Sequence, residues 1–157
     1  LKRYLQVVRW FGILAVLVSC VGAQEAQMSG EGGGWTQGFT GSMAGVKNLR
    51  VRLDMASVVV RGGTQAGIDY NLHLRSRKSS QEEARKQFRD YKLTSYVKGD
   101  TAWVVGEWQG DHSYRLGGAR LRITTRSERN LSGELVINVP REMGLVKVET
   151  GGGDVDA

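Results

Sequence analysis

Asp111-His112-Ser113 brings together the three residue types of a hydrolytic triad: an acid, a base and a nucleophile. Triad members act along one proton-transfer line and normally come from separate elements, because neighbours in sequence direct their side chains apart. The tripeptide therefore reads as a solvated loop. Gly151-Gly152-Gly153-Asp154-Val155-Asp156 invites comparison with calcium-binding GGxGxD turns, in which aspartates supply oxygen ligands. The second glycine-to-aspartate spacing departs from that motif and the stretch occurs once, so a turn between strands is expected. No GxGxxG, P-loop or GxSxG spacing occurs. Cys20, His73 and His112 are the only cysteine and histidines; they fall short of a four-ligand zinc set, and one cysteine excludes an intrachain disulfide. With no acid, base or nucleophile to name and no cofactor expected, the chain reads as non-enzymatic.

Charge offers the better candidate. Arg50, Arg52, His73, Arg75, Arg120, Arg122 and Arg126 stand at the outward positions of alternating stretches. If those stretches share a face, they form a cationic ridge suited to polymers that carry phosphate or carboxylate, such as lipopolysaccharide or acidic glycans. The alternative is that exposed arginines keep a sheet soluble and its edges unpaired. The formal net charge is +6, but Lys2, Arg3 and Arg9 lie in a leader without acids; the remaining 19 basic residues against 16 acidic ones leave +3. That balance is ordinary for a soluble domain and gives no ground for a nucleic-acid partner.

Residues 1–23 have the form of a signal peptide: a basic start, an apolar run from Trp10 to Val18, then small residues up to Ala23. The apolar run is too short to span a bilayer comfortably. Two endings stay open. Val21-Gly22-Ala23 fits cleavage after Ala23, and Leu17-Val18-Ser19-Cys20 resembles a lipobox, in which Cys20 would carry a lipid anchor. Either one predicts export, to a periplasmic, outer-membrane-associated or extracellular place. Any membrane association would come through that anchor. Residues 24–34 carry glycine and polar residues with little apolar content, and are expected to form a flexible linker.

From residue 35 onward the elements are mostly strands. Val51 and Leu53 alternate with Arg50, Arg52 and Asp54, and Val58 to Val60 follow after a break at Ala56-Ser57. Tyr70, Leu72 and Leu74 alternate with Asn71, His73 and Arg75. Residues 80–90 are the one amphipathic helix, with Ala84, Phe88 and the following Tyr91 expected on one face and a capping box expected between Ser80 and Glu83. Residues 92–98 and 101–109 read as a hairpin about Gly99-Asp100, with the second strand central in its sheet because both its faces carry apolar groups. Leu121/Ile123, Leu135/Ile137/Val139 and Val146/Val148 continue the alternation. The fold class is mainly β: stacked short strands, as in a β-solenoid or a sandwich, with a helix inserted near residues 80–90.

Val51-x-Leu53 followed by Val58-x-Val60 can be laid over Val146-x-Val148 followed by Gly153-x-Val155, with Ala56-Ser57 on Gly151-Gly152. LVINVPREMGLVKVETGGGDVDA, with the earlier LRVRLDMASVVVRGG, resembles a bacterial adhesin-type family of β-strand-repeat proteins, domains of unknown function that often follow a signal peptide or envelope anchor. The likeness covers about residues 35–157 and consists of a rhythm of strands and glycine-rich turns, with no catalytic signature. It implies a right-handed stack of short strands at the cell surface whose partner is an envelope component, either an acidic glycan or another membrane-associated protein. The family's further Gly-Asp-Val turns would follow residue 157, so residues 35–157 are expected to be a truncated domain with an open end at Val146 to Val155.

Overall fold

The computed structural model describes residues 24–25, 28–109, 113–116, 119–122 and 130–157. In chain order, the strands are β1 (Gln24–Glu25), β2 (Ser29–Glu31), β3 (Gly34–Met43), β4 (Asn48–Leu53), β5 (Ser57–Gly63) and β6 (Ile68–Ser76). After helix α1 (Gln81–Arg89) come β7 (Tyr91–Lys98), β8 (Thr101–Trp108), β9 (Ser113–Leu116), β10 (Ala119–Arg122), β11 (Leu131–Pro140), β12 (Leu145–Thr150) and β13 (Val155–Asp156). The chain is mainly β, built on two mixed sheets that do not close into a barrel.

The first sheet has the order β1-β3-β6-β11-β5-β13, with β2 also on β3. The second has the order β12-β4-β8-β7, so β8 is indeed an inner strand. β9 and β10 form a separate antiparallel ladder. Alternation decides which side chains enter the core. In the second sheet, Leu49, Val51, Leu53, Ala102 and Val104 are buried; in the first, Val58, Leu72, Leu74, Leu135 and Ile137 are buried in the same cluster. The two sheets therefore share one core, and the Tyr70 hydroxyl donates across it to Ser95 Oγ at 2.8 Å. Their other faces point away from one another.

The mixed pairing has a simple origin. β4 turns a corner at 54–56 and enters the other sheet as β5; β12 turns at 151–154 and enters it as β13. β12 lies parallel to β4 and β13 lies parallel to β5, so one strand-corner-strand coil is stacked on another. Val146 lies beside Leu49, Val148 beside Val51 and Val155 beside Val58, a constant separation of 97 residues. The overlay of Val51 on Val146 is thus corrected by two residues. A strand's side chains repeat every second residue, so a slip of two leaves every face unchanged and the pattern cannot reveal it. The residue that breaks the apparent match is Thr150, which stands beside Leu53 and donates its hydroxyl to the Ala56 carbonyl at 2.9 Å.

The corners also stack. Gly151 N–H donates to Leu53 O at 2.8 Å, Ala56 N–H to Gly152 O at 2.9 Å and Val58 N–H to Asp154 O at 2.8 Å. A side chain at Gly151 would sit 2.5 Å from Asp54 O, and one at Gly153, at φ 131°, would come as close to the Ala56 backbone. These glycines let one corner nest on the other.

Two further expectations differ from the structure. Ser80 is the N-cap of α1, but its side chain makes no capping hydrogen bond. Glu83 lies 3.9 Å from Lys78 instead. The helix is held by its buried face, where Ala84 and Phe88 pack and Gln87 Oε1 accepts a 2.5 Å bond from Ser76 Oγ. The second difference is the tract 24–34, which supplies β1 and β2 rather than an unpaired linker. Ser29, Gly30 and Glu31 are exposed, so it is the backbone pairing with β3 that orders them, and not side-chain burial.

Candidate binding face

The outward face of the second sheet is built from the residues that alternate with its core positions. Ala102 and Val104 point inward, so Trp103 between them points outward. The two-residue turn at Gly99-Asp100 then places Tyr96 opposite Trp103 on the same face. Their rings lie parallel, with 6.0 Å between centroids and 4° between planes. On the other side, parallel pairing of β4 with β8 brings Arg50 beside Trp103, and its guanidinium carbon stands 5.2 Å from the ring centroid. That is within the range of a cation–π contact.

β12 completes the row. Lys147 lies beside Arg50, so Tyr96, Trp103, Arg50 and Lys147 cross all four strands in line. The next row runs Thr94, Val105, Arg52 and Glu149. Lys147 Nζ lies 2.6 Å from Glu149 Oε1, with both side chains about half exposed. The bond from Lys147 and its positive charge hold the Glu149 carboxyl below the usual carboxylate range, with Arg52 and Arg50 adding to the effect. The face thus offers a flat aromatic step of which Tyr96 is 43% exposed, and beside it Arg50, Arg52 and Lys147 with Glu149; Lys92, Lys98 and Glu107 lie farther along the same face.

The seven residues expected to form one cationic ridge are divided by this arrangement. Arg50 and Arg52 belong to the face just described. His73 and Arg75 lie on β6, on the outward face of the other sheet, on the far side of the shared core. There His73 is flanked by Gly38 and Glu134, and Arg75 Nη2 donates to Gly32 O at 3.2 Å. Arg120 and Arg122 are on β10 in the separate ladder. Arg126 lies outside the described residues, as do Cys20, Asp111 and His112. The pattern of alternation identified the outward positions, but strand order decides which of them share a face, and that depends on pairings between residues far apart in the chain.

Comparison with protein-family models, with curated proteins and with solved structures finds no match. The chemistry of the face must therefore be read from its own residues. Tyr96 and Trp103 were missed as a pair in the sequence, although the hairpin register alone puts them together. Their neighbours Arg50 and Lys147 follow only from the parallel pairing of β4 with β8 and β12.

Proposed function

We propose that the chain is a non-enzymatic, exported binding module that holds an acidic glycan of the cell envelope on the outward face of the second sheet. The observation that carries this reading is the row of Tyr96, Trp103 and Arg50: two parallel rings with a guanidinium carbon 5.2 Å over the centroid of the second. An aromatic face takes the apolar face of a sugar ring, and a guanidinium offers a planar fork that matches a carboxylate or phosphate. Lys147 and Arg52 extend the positive field along the neighbouring strands, so consecutive acidic units of a polymer would each meet a cation. The signal-peptide form of residues 1–23 and the resemblance of residues 35–157 to adhesin-type β-repeat domains support export and an envelope partner.

The test is equilibrium binding to polygalacturonate, with dextran as the neutral control. Binding to the acidic polymer that weakens as salt is raised, and none to dextran, supports the proposal. Equal binding to both, or to neither, contradicts it.

A second reading makes the chain a lipid-anchored structural or sensory module that docks another envelope protein. Leu17-Val18-Ser19-Cys20 favours it. Mass spectrometry of the mature N-terminus separates the two: an acylated Cys20 supports the anchored module, and a Gln24 start supports release as a soluble protein.

A further inference from the structure

We infer that β12 is a self-complementary edge through which two copies of the chain pair antiparallel about a twofold axis at Val148. β12 is the outer strand of its sheet, and among the described residues its one strand neighbour is β4. Backbone groups alternate in direction along a strand. Gly151 N–H reaches Leu53 O on β4, so the odd-numbered residues of β12 turn their N–H and C=O groups toward β4. Those of Val146, Val148 and Thr150 face the open edge. The side chains at this end are apolar and uncovered: Leu145 is 46% exposed, Val146 37% and Val155, on the neighbouring β13, 49%.

Charge selects the occupant and its register. With the axis at Val148, that residue meets its own copy, Val146 meets Thr150 of the second copy, and the six open backbone groups on each strand pair fully. Lys147 then stands opposite Glu149 of the other copy, twice over. These are the non-hydrogen-bonded positions, where facing side chains come closest in an antiparallel pair. An axis at Val146 or at Thr150 shortens the ladder and sets Lys147 against Leu145 or Gly153. The other edge of the sheet does not offer this match: β7 carries Lys92 and Lys98 and no acid, so two β7 strands would repel one another. Pairing through β12 would join the two second sheets into one eight-stranded face. Its two Trp103 rings would stand five strand spacings apart, roughly 24 Å. The inference holds whatever the face binds.

The experiment is sedimentation equilibrium of the purified protein with two charge-reversed variants. Lys147→Glu and Glu149→Lys each set like charges opposite one another in a homodimer, and each should weaken it by roughly tenfold or more. Mixed in equal amounts, they place Glu against Lys at both positions, and a heterodimer as tight as the wild-type dimer should form; uniform 15N labelling of one variant separates the masses and identifies it in native mass spectrometry. The mixture also excludes an effect of the Lys147–Glu149 contact within one strand, which stays broken in both variants. Val148→Pro removes an N–H that faces the open edge while leaving the bonds to β4, and should give a folded monomer. A wild-type protein that stays monomeric at the highest concentrations reached, or a mixture that associates no better than either variant alone, overturns the inference.

Discussion

The guanidinium of Arg50 lies over the ring of Trp103, 5.2 Å from its centroid, although the two residues are more than fifty positions apart in the chain. Only the parallel pairing of β4 with β8 brings them together, while the antiparallel β7–β8 hairpin places Tyr96 on the other neighbouring strand. The candidate face is thus a consequence of sheet order, and its parts can be tested one by one.

The Tyr96–Trp103 stack should be energetically coupled. Replacing each by Ala, singly and together, should give a coupling of about 0.5–1 kcal/mol in unfolding free energy, the lower part of the range for aromatic pairs because Tyr96 is partly exposed. Urea denaturation of the four proteins measures it. Strict additivity would mean that the rings are not in contact in solution.

The stacked corners predict a contrast between neighbouring glycines. A methyl group at Gly151 would meet the Asp54 carbonyl, whereas nothing lies within 4 Å of one at Gly152. Gly151→Ala should cost about 1–3 kcal/mol and Gly152→Ala less than about 0.5 kcal/mol, read from urea midpoints. Equal effects would contradict the nesting of the two coils.

A similar contrast holds between the centre of the stack and its end. Leu135 is fully buried on β11 and Val155 is half exposed on β13. Leu135→Ala should lower stability by about 2–5 kcal/mol, and Val155→Ala by less than about 0.5 kcal/mol when measured at a concentration where the chain is monomeric.

Stability should fall at alkaline pH because of Tyr91. Its hydroxyl is buried, has no hydrogen-bond partner among the described residues and lies near the Asp54 carboxylate. Burial, and then that charge, push its pKa well above the ordinary 10.0. Below pH 10 both states hold the proton, and the contribution to stability is fully present. As pH rises past 10 the unfolded chain releases the proton first, so unfolding becomes more favourable until the folded state also ionises. Tyr91→Phe should therefore reduce the loss of melting temperature between pH 9.5 and 11. At pH 7 it should be neutral or slightly stabilising, since it removes an unsatisfied polar group. Some alkaline loss should persist, because burial raises the pKa of Tyr70 in the same sense.

Much of the fold was legible in the sequence because most of the strands advertise their faces. Leu72, Leu74, Leu135 and Ile137 were placed inward by alternation alone, and they are fully buried. The hairpin at Gly99-Asp100 was equally clear, since its turn lies between adjacent strands. What alternation cannot supply is which strands are neighbours. Arg50 and His73 look alike in the sequence, each outward on an alternating strand, yet they face opposite sides of the core. The repeat shows the same limit: its presence was visible, but its register was hidden by a period of two and is settled by the ladders of β12 on β4 and β13 on β5, with the Thr150 hydroxyl bonded at the corner. Gln87 was missed because a polar residue on the buried face of a helix is meaningful only when its partner, Ser76, is known.

The central claim is that the face around Trp103 and Arg50 holds acidic glycans. The most direct measurement is titration of the protein with polygalacturonate, comparing wild type with Trp103→Ala, Arg50→Ser and Arg75→Ser. Loss of at least about tenfold in affinity for each of the first two, with the third unchanged because Arg75 lies on the opposite sheet, is the predicted result. Binding that is unaffected by Trp103→Ala and Arg50→Ser, or that is lost with Arg75→Ser, would contradict it.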